Sequence, residues 1–213
     1  FVLYAAENEQ FTPRHRQKLH DAGVTEVYIR GEQRPDFNRY IEKHLPNILA
    51  DNAIPVEERC KVLYNASEAV VREVFETRLP KGIGKKEYAR VVALVEKSIK
   101  FLAMDESLKR IAALAAHDYS IHTHNVQAFV FTTALLQSMK ADEYTQVQAG
   151  IGALLHDIGK TRIPNEILSK PGPLNPEERQ VINTHPAKGL ALCQDVPLSQ
   201  TACHCILMHH ERM

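Results

Sequence analysis

The sequence predicts a mainly α-helical fold, a helical bundle preceded by a small α/β unit. Three observations carry this prediction. Strand-like alternation is confined to the first thirty or so residues. From about Pro35 onward, apolar residues recur at close to 3.6 spacing. Caps, prolines and glycines cut that second stretch into helix-length pieces.

The elements follow in order. "FVLYAA", residues 1–6, reads as a short buried strand. "TPRHRQKLHDAG" reads as a helix, with Thr12 as N-cap, Pro13 at the first helical position and Gly23 as its stop. "VTEVYIR", residues 24–30, is a second strand by its β-branched content and alternation. Two strands flanking a helix make a small α/β unit, placed at residues 1–50 as a regulatory or interaction unit. Its edges stay unpaired unless residues before Phe1 complete the sheet. Because the chain opens on Phe1, a longer parent protein is expected.

"PDFNRYIEKHLPNILAD" is helical with an interior proline, so a kink is expected between Lys43 and Pro46. "PVEERCKVLYNASEAVVREVFETRL" is a long amphipathic helix whose apolar set includes Val62, Leu63, Ala66, Ala69, Val70, Val74 and Phe75. "PKGIGK" breaks it and "KEYARVVALVEKSIKFLAM" resumes the period. These helices form a lead-in over residues 51–106. Helices are then expected at about 107–115, 119–140 and 143–157. A proline- and glycine-bearing loop, "IPNEILSKPGPLNP", covers 163–176. Asn175-Pro176-Glu177-Glu178 is a helix start: a cap, a proline, then two acids at the positive end. A last helix runs from about Leu198 into "MHHERM".

Composition narrows the function classes. The 213 residues carry 26 Lys+Arg against 26 Asp+Glu, so no net field draws the chain to DNA or to a membrane surface. A phosphate-bearing ligand would need a local site. No run of about 18 apolar residues is present, so no transmembrane helix is expected. No signal peptide is read either. Four cysteines do not suggest a disulfide framework, which points to a reducing, cytoplasmic setting.

Histidine is the anomaly: of 11, eight lie in the second half. "LLHDIGK", residues 154–160, sets a histidine, an aspartate and a lysine beside an apolar pair. Buried charges are costly unless paired or bound to a metal. Adjacent helical residues point about 100° apart, so His156 and Asp157 cannot aim at one point from a straight helix. They can flank two points a few ångströms apart, and a carboxylate can bridge two metals where an imidazole serves one. Lys160 lies four after His156 and three after Asp157, on the same face. A cation there suits a phosphate oxygen beside the metals. Gly159 lets backbone approach a ligand closely. The plainer reading is a helix C-terminus, where His and Lys favour the dipole and glycine stops the helix.

Other histidines extend the pattern. His209 and His210 repeat the adjacent pair in "MHHE". His185 precedes Pro186 and ends the helix that begins at Pro176, a good place from which to point a ligand. His124 sits in "HDYSIHTHNV" inside a helix whose Val126, Phe129 and Phe131 suggest burial. His122 points to another face, and His117, seven residues before His124, could share its face. "CHC" at 203–205 points three ways and is not a zinc motif; its thiols read as buried and apolar.

Together, "HTHNV", "LLHDIGKTRIPNEILSKPGPLNPEE", "INTHPAKGLAL" and "MHHER" resemble the HD superfamily of metal-dependent phosphohydrolases. The "IP…IL.KPG.L" frame resembles its HD-GYP family in particular. The resemblance covers about residues 107–213 and implies a helical domain hydrolysing cyclic di-GMP at a two- or three-metal site. It implies Asp157 as the bridge, His124 and His156 on one metal, and His185, His209 and His210 on the other. Lys160 would hold a phosphate, with Asp157 and Lys160 nearest the reaction. Iron is the first expectation for the two divalent ions, with manganese or zinc as alternatives. Members with a third metal carry a glutamate where this chain has Ser120, so two metals are expected. The family continues past "HHER" into its GYP segment and a further aspartate ligand, whereas this sequence ends at Met213.

The leading expectation is therefore a two-metal cyclic di-GMP phosphodiesterase, with a signalling protein partner for the amino-terminal unit. One alternative is an HD phosphohydrolase acting on nucleotides or an alarmone, which the loop after Lys160 argues against. Another is a metal-containing receptor or adaptor that binds a cyclic dinucleotide without turnover.

Overall fold

The computed structural model describes residues 12–24, 28–76, 82–115 and 121–211. The chain divides into two compact units, 1–37 and 38–213. In the first, α1 (Pro13–Asp21) begins as its sequence dictates. The Thr12 hydroxyl accepts from the His15 N–H, His15 Nδ1 accepts from the Thr12 N–H at 3.2 Å, and Pro13 opens the helix. Gly23 follows in the left-handed region at φ +70°.

Among the described residues the expected α/β unit is not found. The "FVLYAA" segment and residues 25–27 of "VTEVYIR" lie outside them, while Val24 and 28–30 carry no strand. Val24, Tyr28 and Ile29 are all exposed. Alternation specifies a strand only when one face has a core to meet, and these three side chains look outward.

The second unit is helical throughout its described residues. In α2 (Arg34–Ala50), the helix continues through Pro46. Proline has no N–H for the carbonyl four residues back, that of Glu42. Lys97 supplies the missing donor: its Nζ donates to Glu42 O at 3.0 Å. Then come α3 (Val56–Glu76), α4 (Lys85–Leu102) and α5 (Asp105–Ala115). On α3 the predicted face is buried at Leu63, Ala66, Val70, Val74 and Phe75, while Val62 and Ala69 are half-buried at its margin.

Next are α6 (Ile121–Ser138) and α7 (Glu143–Leu155), followed by a 3₁₀ turn (Ile158–Arg162), α8 (Asn165–Leu168), α9 (Pro176–Ile182), α10 (His185–Leu192) and α11 (Gln200–Met208). The central element is α7. From Ala149 to Leu155 it is apolar and buried on every side, and a helix segment of that kind belongs inside. It packs against α4, α6 and α11. Its small residues set those distances. A Cβ at Gly150 would meet Phe129 at 2.9 Å, and one at Gly152 would meet Cys205 Cβ at 2.6 Å and Ala202 Cα at 2.9 Å. Close approach of α11 is what brings its carboxyl end to the end of α7. Each fully buried side chain at this centre, such as Phe129 or Leu154, contributes about 1.5–3 kcal/mol.

Three expectations are corrected. Phe131 is 52% exposed, although Val126 and Phe129 are buried, because two residues on from Phe129 is the opposite side of α6. α7 stops at Leu155, so His156 and Asp157 lie beyond its regular turns. His185 does not end the helix from Pro176; α9 ends at Ile182 and His185 opens α10. Proline lacks an N–H and is suited to a helix's first turn, so Pro186 marks a beginning. His117 and Ser120 lie outside the described residues. No helix of the described residues is long and apolar enough to cross a membrane.

Candidate metal centre

Four helix ends deliver the side chains. His156 is the C-cap residue of α7, and Asp157 is the N-cap of the 3₁₀ turn. His124 lies in the first turn of α6, His185 opens α10, and His209 is the C-cap of α11 with His210 next to it. Two triads result, His124–His156–Asp157 and His185–His209–His210, each with ligand atoms close enough to share a cation.

Asp157 stands between the triads and is only 1% exposed. Its Oδ2 faces His156 Nε2 at 3.4 Å and His124 Nε2 at 3.9 Å. Its Oδ1 faces His185 Nε2 at 3.3 Å and His209 Nε2 at 3.7 Å. One carboxylate thus offers one oxygen to each group. Lys160 Nζ also donates to Oδ2, at 2.6 Å. The lysine does lie on the Asp157 side, and its partner in the structure is that carboxylate.

Three rings share one local device. His156 Nδ1 donates to Ala153 O (2.8 Å), His185 Nδ1 to Ile182 O (2.7 Å) and His209 Nδ1 to Ile206 O (2.9 Å). A carbonyl only accepts, so the proton is on Nδ1 and the Nε2 lone pair points into the site. Each carbonyl belongs to the last turn of a helix and lacks a donor of its own. The helix-end reading and the ligand reading of these histidines are therefore compatible, because they use opposite ring nitrogens.

The electrostatics follow. Burial pushes the Asp157 pKa up, and the imidazoles that face it, His156 first and then His185 and His209, outweigh this and hold the carboxyl well below the usual carboxylate range. His124 and His210 are both held below the ordinary imidazole value, first by burial and then by neighbouring imidazoles.

These residues fit divalent cations. Asp157 Oδ1 is buried and has no hydrogen-bond partner. The His185 and His209 Nε2 atoms face each other at 2.9 Å, and those of His124 and His156 at 3.3 Å. In the first pair both rings carry their proton on Nδ1, and two bare nitrogens at that distance repel unless a cation lies between them. Nitrogens bound to one zinc-like ion at about 2.0–2.1 Å, between right and tetrahedral angles, lie about 2.8–3.4 Å apart.

The sequence reading missed two supports. Asn125, fully buried, donates from Nδ2 to Leu154 O at 2.9 Å. That ties the turn carrying His124 to the last turn of α7. A polar residue beside a candidate ligand in "HTHNV" is the available signal. Gly159, expected to admit a ligand, instead admits α10. A Cβ there would lie 1.9 Å from His185 O and 2.5 Å from Gly189 N. His122 turns away from the cluster, edge-on to Phe75. Cys203 and Cys205 are free and half-buried, and burial raises the Cys205 thiol's pKa.

Residues 69–213 match a family described as HD domain. A cyclic di-GMP phosphodiesterase of Pseudomonas aeruginosa is 25% identical over 210 residues, covering 92% of this chain and 50% of that protein. One of Thermotoga maritima is 33% identical over 97 residues, covering 45% of this chain and 26% of that protein. A 3'3'-cGAMP-specific phosphodiesterase of Vibrio cholerae is 28% identical over 90 residues, 42% of this chain and 20% of that protein. An HDG"Y"P protein from Bdellovibrio bacteriovorus shares the fold over 99% of this chain and 69% of its own, with a TM-score of 0.68 at 22% identity. The chain spans about half the length of the Pseudomonas relative and about a quarter of the Thermotoga one.

Proposed function

From the premise that the chain belongs to the HD domain family, with the motifs of its HD-GYP members, we propose that it is a two-metal phosphodiesterase that hydrolyses cyclic di-GMP. The observation that carries this is Asp157, whose two oxygens each face a separate group of histidines. Residues at that spacing suit a pair of cations bridged by one carboxylate.

His124, His156 and Asp157 Oδ2 would hold one ion; His185, His209, His210 and Asp157 Oδ1 would hold the other. A divalent pair in such a site activates water and polarises a phosphoryl group. The protein's own part is positioning. The Nδ1 anchors keep three rings in one tautomer with Nε2 forward. Buried Asp157 keeps its charge and so neutralises the ions. Lys160, 23% exposed, reaches the mouth of the site and is placed to meet a non-bridging phosphate oxygen and the charge that develops on it. The nitrogen and oxygen donors suit iron first, and manganese or zinc after it.

A second substrate reading has a specific basis, since the Vibrio relative is named for 3'3'-cGAMP. The assignment of residues 1–50 as a unit for a signalling protein partner, of 51–106 as lead-in and of 107–213 as catalytic domain belongs to the same proposal. So does a cytoplasmic setting without a DNA partner.

The test is elemental analysis of the protein together with chromatographic assay of both cyclic dinucleotides. About two divalent ions per chain and linear or mononucleotide product are expected. Protein made with iron or manganese present that binds neither ion would end the metal-site reading. Bound metal with no turnover of either dinucleotide would favour a receptor.

A further inference from the structure

We propose that Lys160 sets the order in which the two metal positions fill. The His185–His209–His210 position loads first and tightly. The His124–His156 position loads second, in competition with the Lys160 ammonium. The proposal rests on the two-metal reading above and adds an asymmetry to it.

The two carboxylate oxygens of Asp157 are not equivalent. Oδ1 is buried, has no hydrogen-bond partner and faces the Nε2 atoms of His185 and His209 at 3.3 and 3.7 Å. A cation arriving there displaces nothing from the carboxylate. Oδ2 faces the Nε2 atoms of His156 and His124 at 3.4 and 3.9 Å, and it also accepts from Lys160 Nζ at 2.6 Å. A cation arriving there meets an ammonium on the same oxygen. Sharing that oxygen weakens it as a donor and sets two positive charges a few ångströms apart. The ammonium must swing out first, losing a charge-assisted hydrogen bond.

Ligand number and order point the same way. The first position has three imidazoles and a free oxygen. The second has two imidazoles and a contested oxygen. His185 is buried and both His185 and His209 are anchored through Nδ1. Each position also has one exposed imidazole, His210 or His124, so the second position keeps a single anchored ring, His156, against two in the first. Lys160 sits three residues after Asp157 on the same 3₁₀ turn, so this competition is built into "HDIGK" itself.

The experiment is calorimetric titration of metal-stripped full chain with manganese(II) alone, with the bound ion followed by electron paramagnetic resonance. Two steps are expected, separated by about 10- to 100-fold in affinity, the range that groups hydrogen-bonded to metal ligands typically command. Lys160→Met tightens the weak step and leaves the tight step in place; Lys160→Arg keeps the separation. His124→Asn deletes the weak step and His210→Asn weakens the tight one. Both are at exposed positions, so the fold is spared. Two equal steps, a weak step unmoved by Lys160→Met, or loss of the tight step in His124→Asn would each overturn the proposed order while leaving the two-metal reading intact. Failure to bind any manganese or iron would bring both down.

Discussion

Gly159→Ala offers the sharpest test of how the site is built. The added Cβ would stand 1.9 Å from His185 O, 2.5 Å from Gly189 N and 2.8 Å from His185 C. All three are backbone atoms, so no side chain can rotate out of the way. Ordinary contact begins at 3.4 Å, so α10 must retreat by about 1.5 Å at its first residue. That residue is His185, which lies 3.3 Å from Asp157 Oδ1. Overpacking of this kind costs about 1–3 kcal/mol. In a domain of this size each kcal/mol lowers Tm by about 2–4 °C, so a fall of about 2–12 °C is expected. The same shift pulls one imidazole off its position, so metal retained per chain falls as well. Thermal melts and elemental analysis of the same preparation measure both. Gly189→Ala is the internal scale: its nearest contacts are Ile206 Cγ2 at 3.1 Å and Gly159 N at 3.3 Å, a few tenths of an ångström short of ordinary contact, and its effect is the smaller. A Gly159→Ala protein with unchanged Tm and full metal content would refute the argument that α10 rests on that glycine.

Three further outcomes follow. Asn125→Ala removes the donor to Leu154 O and leaves a buried carbonyl unpaired, costing about 1–3 kcal/mol in urea denaturation. Lys97→Met orphans the Glu42 carbonyl and costs about 0.5–1.5 kcal/mol, and the loss shrinks in a Pro46→Ala background, where a backbone N–H becomes available; equal losses in both backgrounds would contradict this. Lys170, and then the Asn175 N–H, hold the half-buried Glu178 carboxyl below its ordinary pKa. A pKa lowered by folding contributes stability above the unfolded value, about 4.3, and loses it as pH falls through the folded value. The stability gap between wild type and Glu178→Gln should therefore be open near neutrality and close below about pH 4 in melts run across that range.

Much of this architecture is legible in the sequence because its signals are local. Thr12-Pro13 and Asn175-Pro176 announce helix starts, and the apolar face of α3 follows its 3.6 period. The cluster of His124, His156, Asp157, His185, His209 and His210 is legible on different grounds. So many imidazoles in the order and spacing of a known family rarely arise by chance. What stays hidden depends on contacts between distant elements. No local pattern says that Gly159 meets α10, that Asn125 reaches the end of α7, or that Lys97 replaces the hydrogen bond that Pro46 removes from α2. The amino-terminal strand shows the opposite case: "VTEVYIR" has the alternation, but its described residues, Val24 and 28–30, are exposed and carry no strand, because alternation cannot supply a buried face. His185 shows a local rule outweighed by another, since the bias on a residue before proline yields to proline's preference for a first helical turn.

The three anchored rings have a consequence for the field inside the site. Each hangs on the last turn of a different helix, α7, α9 or α11, so three carboxyl-terminal helix ends converge on Asp157. Each such end carries up to about half a negative charge. Two amino-terminal ends, those of α6 and α10, open at the same place with His124 and His185, so the helix ends largely offset one another and buried Asp157 sets the sign of the site. A buried carboxylate draws in cations and turns phosphates away. On the two-metal reading proposed above, a phosphodiester would become welcome only after cations had inverted the sign of the site, which would make metal loading a gate on substrate entry as well as a requirement for chemistry.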